Sequence, residues 1–122
     1  MERDRSILLV DDDSRNIFAL TAVLKARGYV VIPATDMRQA FNLLRDNPDI
    51  GVILLDMMMP EMDGYEALKL LRQDAMYKGL PVIAVTAQAM SGDREKCLTA
   101  GADDYLSKPV DVDALLELLQ KI

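Results

Sequence analysis

The stretch ILLVDDDSRN, Ile7 to Asn16, sets three carboxylates, Asp11, Asp12 and Asp13, straight after a wholly apolar run. Like charges so crowded repel, and a solvated acidic loop is the bland outcome for such a triplet. A site for a hard cation is the sharper one, because a cation turns the same repulsion into coordination. The residues before the triplet read as a strand, and Ser14 just after it reads as the N-cap of a helix. Strand, acids and helix start thus follow one another without a linker. The rest of the chain decides between loop and site.

Outward from this stretch, short apolar runs alternate with amphipathic ones. The apolar runs are Ile7–Val10, Tyr29–Ile32, Val52–Leu55, Val82–Val85 and a weaker Tyr105–Leu106. Several are apolar throughout, as strands buried on both faces of a parallel sheet must be. Between them, Ile17, Leu20 and Leu24 share a helical face that closes at Gly28, where a C′ glycine belongs. Met37, Ala40, Phe41 and Leu44 mark a second helix that stops before Pro48. Asp63 and Glu66 have capping-box spacing and open a third helix that buries Leu68 and Leu71. A fourth, from about Ser91 to Ala100, has little apolar content beyond Cys97 and Leu98. The fifth starts at Asp111 and carries Leu115, Leu118, Leu119 and Ile122. Five strand–helix units in strict alternation imply an α/β, doubly wound (βα)5 sandwich of three layers with a parallel five-stranded sheet.

A chain of 122 residues forms one domain spanning 1–122, long enough to bury a core. The net charge of −6 argues against a nucleic-acid surface, which needs clustered Lys and Arg. The single cysteine, Cys97, cannot form an internal disulfide, no apolar run reaches membrane-span length, and the polar start is no signal peptide. These features together read as a cytoplasmic protein. The absence of histidine removes histidine triads, histidine metal ligands and any phosphohistidine of the chain's own.

In doubly wound folds ligands bind beyond the carboxyl ends of the strands. Those ends carry Asp11–Asp13, Asp56, Thr86 and Lys108. If the first and third strands are neighbours, their carboxylates converge, and either a cation joins them or their pKa values rise. Magnesium suits an all-oxygen site and keeps several waters, so few protein ligands suffice. A carboxylate beside such an ion can attack phosphorus, while a threonine hydroxyl and a lysine ammonium hold the phosphoryl oxygens.

Four stretches, LLVDDD (8–13), LLDMMMPEMDG (54–64), VIAVTA (82–87) and YLSKP (105–109), resemble in order and spacing the CheY-like receiver domains of two-component response regulators. The resemblance covers nearly the whole chain and implies a flavodoxin-like sheet of strand order 2-1-3-4-5. It makes Asp56 the phosphoacceptor, taking its phosphoryl group from a phosphohistidine on a histidine kinase or histidine phosphotransfer domain. Asp12 resembles the direct magnesium ligand and Asp11 one acting partly through water, with the backbone carbonyl of Met58 completing the protein's share alongside Asp56. Thr86 resembles the switch hydroxyl, with Ala87 small enough to let its own N–H approach, and Tyr105 the aromatic that turns inward when Thr86 moves. Lys108 would pair with the phosphoryl group, and a cis Lys108–Pro109 bond is expected. Asp13 is an extra acid, either outer support or helix-terminus charge. Output to a downstream protein would leave through the fourth helix, fifth strand and fifth helix. The stretches VDDDSRNIFAL (10–20) and TAQAMSGDREKCLTAGADDYLSKP (86–109) look similar to receivers of hybrid histidine kinases.

Such a chain is a phosphorylation-controlled switch rather than an enzyme, promoting only its own phosphorylation and slow dephosphorylation. The alternative is a small magnesium phosphatase of the haloacid-dehalogenase type, for which Asp11 and Asp13 have the D-x-D spacing. That alternative leaves Asp56 idle and the chain without room for a substrate-selecting cap. A phosphate-independent interaction module would lack an acceptor or an acid, and none is lacking; a flavin protein would need a Gly-rich phosphate loop after the first strand. Met57–Met59 read as packing residues, Cys97 as inert core, Pro60 and Gly64 as turn residues, and Asp103 and Asp104 as solvated loop acids.

Overall fold

The computed structural model describes residue 1 and residues 4–59, 62–87 and 92–122. Strands and helices alternate through β1 (Ser6–Val10), α1 (Ser14–Ala26), β2 (Val30–Ala34), α2 (Met37–Asp46) and β3 (Ile50–Asp56). They continue through α3 (Gly64–Gln73), β4 (Val82–Thr86), α4 (Asp93–Ala100), β5 (Asp104–Ser107) and α5 (Val112–Lys121). The strands pair in parallel in the order β2-β1-β3-β4-β5, the doubly wound, flavodoxin-like sheet expected from the sequence.

Each inner strand carries an unbroken apolar run because it feeds two cores. Leu8, Val10, Ile53, Leu55, Val82 and Ala84 face the layer of α2, α3 and α4. Their neighbours Ile7, Leu9, Val52, Leu54 and Ile83 face α1 and α5. Leu24, Leu68, Leu71 and Leu115 close these cores with no exposed surface. Burying a side chain of that size contributes about 1.5–3 kcal/mol.

Several element ends differ from the sequence-based expectation. Ser14 is the first residue of α1 rather than its cap; Asp13 is the cap, its carboxylate accepting from Arg15 N–H. β2 runs on through Pro33 to Ala34, which an edge strand tolerates because the missing N–H need not join the ladder. α4 begins at Asp93 behind Gly92, and the expected start at Ser91 lies outside the described residues, as does Pro60. Gly28, at φ +86°, follows α1 as expected, with Gly28 N–H on Lys25 C=O and Tyr29 N–H on Leu24 C=O. That pair of bonds is a Schellman closure.

One irregularity positions the site. β1 and β3 pair Ser6 with Ile50 but Ile7 with Val52, so Gly51 is an extra residue. Ile50 and Ile53 consequently face the same core although three residues apart. From Ile7 onward the register holds to Val10 opposite Leu55, which brings Asp11 and Asp56 level at the next step. Without the slip Asp11 would stand level with Leu55.

Candidate functional site

Asp56 ends β3 and Asp11 directly follows its neighbour β1 in the centre of the sheet, and both are almost fully buried, at 3% and 1% exposure. Asp11 Oδ1 accepts from Asp13 N–H at 2.9 Å, and its Oδ2 accepts from the Asn16 side-chain amide. Asp56 Oδ1 accepts from Met58 N–H at 3.0 Å. Asp12 is exposed and borders an open cavity of about 420 Å³ that it shares with Asp36, Arg38 and Met59. One carboxylate oxygen from each of Asp11, Asp12 and Asp56 lies within 4.8 Å of the other two. The three acids that the sequence brought together are therefore one cluster.

Lys108 supplies the opposing charge. Its Nζ stands 3.3 Å from Asp11 Oδ2 and 3.5 Å from Asp56 Oδ2. It arrives there because β5 pairs Ser107 with Thr86 and because Lys108 N–H bonds Thr86 C=O at 2.8 Å. The Lys108–Pro109 bond is cis, as the resemblance implied. Thr86 itself ends β4 and is buried, one step beyond the pairing of Asp56 with Val85. Tyr105 lies half-buried on β5, packed against the core beneath α3 and α4.

The electrostatics show an excess of negative charge. Burial pushes the Asp56 carboxyl above its ordinary value, the Met58 N–H pulls it back, Asp11 pushes it further and Lys108 opposes. Burial by itself would lower the Lys108 ammonium, but Asp56 and Asp11 outweigh that and hold it raised. The three clustered carboxylates, only partly offset by the one ammonium, form an all-oxygen donor set that fits a hard divalent cation. A cation there leaves room for an anionic phosphoryl group against Lys108.

Asp13 does not join the cluster with its side chain; it caps α1 and lends Asp11 only its backbone N–H. A dehalogenase-type phosphatase needs that carboxylate as its second acid, so the alternative finds no support. Met57 and Met59 are packing residues, whereas the Met58 side chain is exposed. Cys97 is fully buried, and burial raises its thiol, as expected of an inert core residue.

Two expectations need correction. Gly64 is not simply a turn residue: it opens α3 so close to the loop after Asp56 that a Cβ would sit 2.7 Å from Met57 Cα. Asp103 is not merely a solvated acid, because its Oδ2 accepts from Val82 N–H at 2.8 Å and pairs with Arg72 Nη2 at 2.9 Å. Sequence reasoning also missed Asn16. Its only signal is its place one helical turn past the triplet, which gains meaning once Asp13 is known to be the cap.

Comparison with known proteins agrees with this geometry. The family model of the response regulator receiver domain matches residues 7–120. The polar-differentiation response regulator DivK of Brucella ovis is 36% identical over 117 residues, covering 95% of this chain and 94% of the relative. The receiver domain of sensor histidine kinase PA1611 from Pseudomonas aeruginosa PAO1, solved with magnesium coordinated in its active-site cleft, is 38% identical. It superposes with a TM-score of 0.85 over 96% of this chain and 95% of its own. A response regulator receiver protein from Pseudomonas putida is 29% identical, with a TM-score of 0.90 and full coverage of both chains. The chain belongs to the response regulator receiver domain family. It is a phosphorylation-controlled signalling switch.

Proposed function

We propose that Asp56 is the phosphoacceptor and that residues 1–122 act as one receiver domain. The observation that carries this is the convergence of Asp11, Asp12 and Asp56 on one small volume with Lys108 beside them. A carboxylate oxygen of Asp56 attacks phosphorus, and the phosphorus–nitrogen bond of a partner's phosphohistidine breaks with its electron pair returning to the imidazole. Residues 1–122 contain no histidine, so the phosphohistidine donor lies outside them, on a histidine kinase or a histidine phosphotransfer domain. Asp12, Asp11, Asp56 and the Met58 carbonyl would hold magnesium, as the magnesium-bound relative supports. When bound, magnesium neutralises the charge that otherwise opposes the approach of a phosphoryl group. The resemblance makes Asp12 the direct ligand, and the protein donors on both oxygens of Asp11 fit a ligand that acts partly through water.

Lys108 then pairs with a phosphoryl oxygen, Thr86 moves its hydroxyl toward another, and Tyr105 follows into the space left behind. The surface formed by α4, β5 and α5 carries the change to a downstream protein. Slow hydrolysis of the acyl phosphate resets the switch, which catalyses nothing further. The relatives include both a response regulator and the receiver of a sensor kinase, so either setting is compatible with these residues. Action in the cytoplasm is part of the same proposal. Among the described residues no helix is long and apolar enough to cross a membrane.

The test is incubation with a phosphorylated histidine-kinase or phosphotransfer domain, with and without magnesium. The expected outcome is magnesium-dependent acyl-phosphate formation that Asp56→Asn abolishes while the fold survives. Labelling of that variant at the parent rate would move the chemistry to another acid. In a metal titration Asp12→Ala should weaken magnesium binding at least about tenfold more than Asp13→Ala, since of these two only Asp12 offers its carboxylate to the ion.

A further inference from the structure

Lys108 is shared. Its two contacts, 3.3 Å to Asp11 and 3.5 Å to Asp56, are both longer than the roughly 2.7–2.9 Å of a tight charge-assisted bond. As the ammonium swings toward a phosphoryl group on Asp56 it loosens its hold on Asp11, whose carboxylate is buried. A buried carboxylate oxygen stripped of its partner is costly, so Asp11 would ordinarily hold the lysine back. Asn16 changes this. Its amide donates to the same Oδ2 that faces Lys108, while Asp13 N–H already occupies Oδ1. With a neutral donor on each oxygen, Asp11 stays satisfied when the ammonium departs. Because an amide adds no charge, Asp11 also keeps its full negative charge for a cation, which an Arg or Lys at position 16 would cancel.

We propose that Asn16 is a positioning residue whose amide takes over Asp11 Oδ2 and so releases Lys108 to the phosphoryl group on Asp56. The inference rests on the assignment of Asp56 as phosphoacceptor. Asn16 lies at the first turn of α1, half-buried, and reaches Asp11 across the loop that the Asp13 cap folds tight. Its position on a helix packed against the sheet fixes the donor better than a loop would. The role is to make one contact of Lys108 dispensable, not to touch the phosphoryl group.

The experiment compares the parent with Asn16→Leu, which keeps volume and removes the donor, and with Asn16→Gln, which keeps a donor. Two quantities are read: the rate of phosphorylation by a small acyl phosphate at saturating magnesium, and magnesium affinity by calorimetry. Asn16→Leu should slow phosphorylation about tenfold, the loss expected for one hydrogen bond to a charged group. Its magnesium affinity should change less than about threefold, because Asp11 stays charged and in place through Asp13 N–H. Asn16→Gln should recover most of the rate. In a Lys108→Met background, adding Asn16→Leu should change the remaining rate by less than about twofold, since no lysine is left to release. Parent-like phosphorylation of Asn16→Leu overturns the proposal. So does a tenfold loss that persists without Lys108, or a magnesium affinity that falls in step with the rate. A parent protein that is not labelled at all, or an Asp56→Asn variant that is, would instead overturn the assignment of the acceptor.

Discussion

Asp56 sits in surroundings that oppose its charge, chiefly through burial and then through Asp11. An acid whose folded pKa is raised binds its proton more tightly in the native state than in the unfolded chain. Its stabilising contribution is then present at low pH and lost as pH rises through the folded pKa. Asp56→Asn should therefore raise the melting temperature of the metal-free protein at neutral pH, with the gain shrinking as pH falls and Asp56 protonates. Thermal melts in chelator across that range check this; a variant less stable than its parent at neutral pH would show that Lys108 and Met58 outweigh burial. Magnesium, which binds only the native state, should stabilise the parent more than the variant. Asp13 has a separate duty. Asp13→Ala removes a helix cap and should cost about 1 kcal/mol in denaturant unfolding. Alanine still supplies the N–H that Asp11 accepts, so any loss of magnesium affinity should be small.

Among the elements, α4 is built asymmetrically. Its N-terminus follows Gly92 at φ +88° without a side-chain cap, and Asp93 is buried there with an Oδ2 that finds no partner among the described residues. Its C-terminus is clamped. Arg72 donates to Gly101 C=O at 2.9 Å, to Leu80 C=O at 2.7 Å and to Asp103 at 2.9 Å. Gly101 cannot be replaced without strain, since its φ is +121° and a Cβ would meet Arg72 Cγ at 2.9 Å. One arginine thus ties the end of α3, the loop before β4 and the start of β5 to the far end of α4 from Thr86. Arg72→Met should destabilise the fold by about 2–3 kcal/mol, as a lost set of charge-assisted bonds predicts. In hydrogen exchange the parent's Gly92–Cys97 amides should open before the Gly101–Tyr105 ones, and the variant should erase that order. Uniform protection along α4 in the parent would refute the asymmetry.

Across the whole molecule, the site and the proposed output surface are joined by two short links. Thr86 C=O holds Lys108 N–H, and Tyr105 pairs with Ala84 two residues before Thr86. A phosphoryl group adds charge and strong acceptor oxygens at Asp56, which Thr86 and Lys108 can bond. It shifts the population only by the difference in how well the two arrangements bind it; moving from 1:99 to 99:1 takes about 5.5 kcal/mol. With magnesium and a beryllofluoride mimic of the phosphoryl group, amide signals of Ala87 and Gly92–Leu106 should therefore shift more than those of α2. Thr86→Ala should suppress that distant response while Asp56 still accepts phosphate. A response strongest in α2, or normal transmission in the alanine variant, would place the output elsewhere.

Much of this architecture was legible without coordinates, for a local reason. Strands buried on both faces must be apolar throughout and helices must show a 3.6-residue period, so the alternation of the two is written in the residues themselves. The strand order entered through the resemblance of four motifs to a known family, and the sheet has that order. The gathering of Asp11, Asp12, Asp56 and Lys108 was also foreseeable, since strand ends in such a sheet point to one edge. What no local pattern could show is which groups meet once elements pack. The Gly51 slip that levels Asp11 with Asp56 is a property of two strands together. The choice of Asp13 over Ser14 as cap depends on where the chain leaves β1. The Asn16 amide on Asp11 and the Arg72 clamp on Gly101 and Asp103 join residues 5, 29 and 31 positions apart. Their hydrogen bonds exist only because helices settle on the sheet at one height, and that height is set by the packing of the core rather than by any single stretch of sequence.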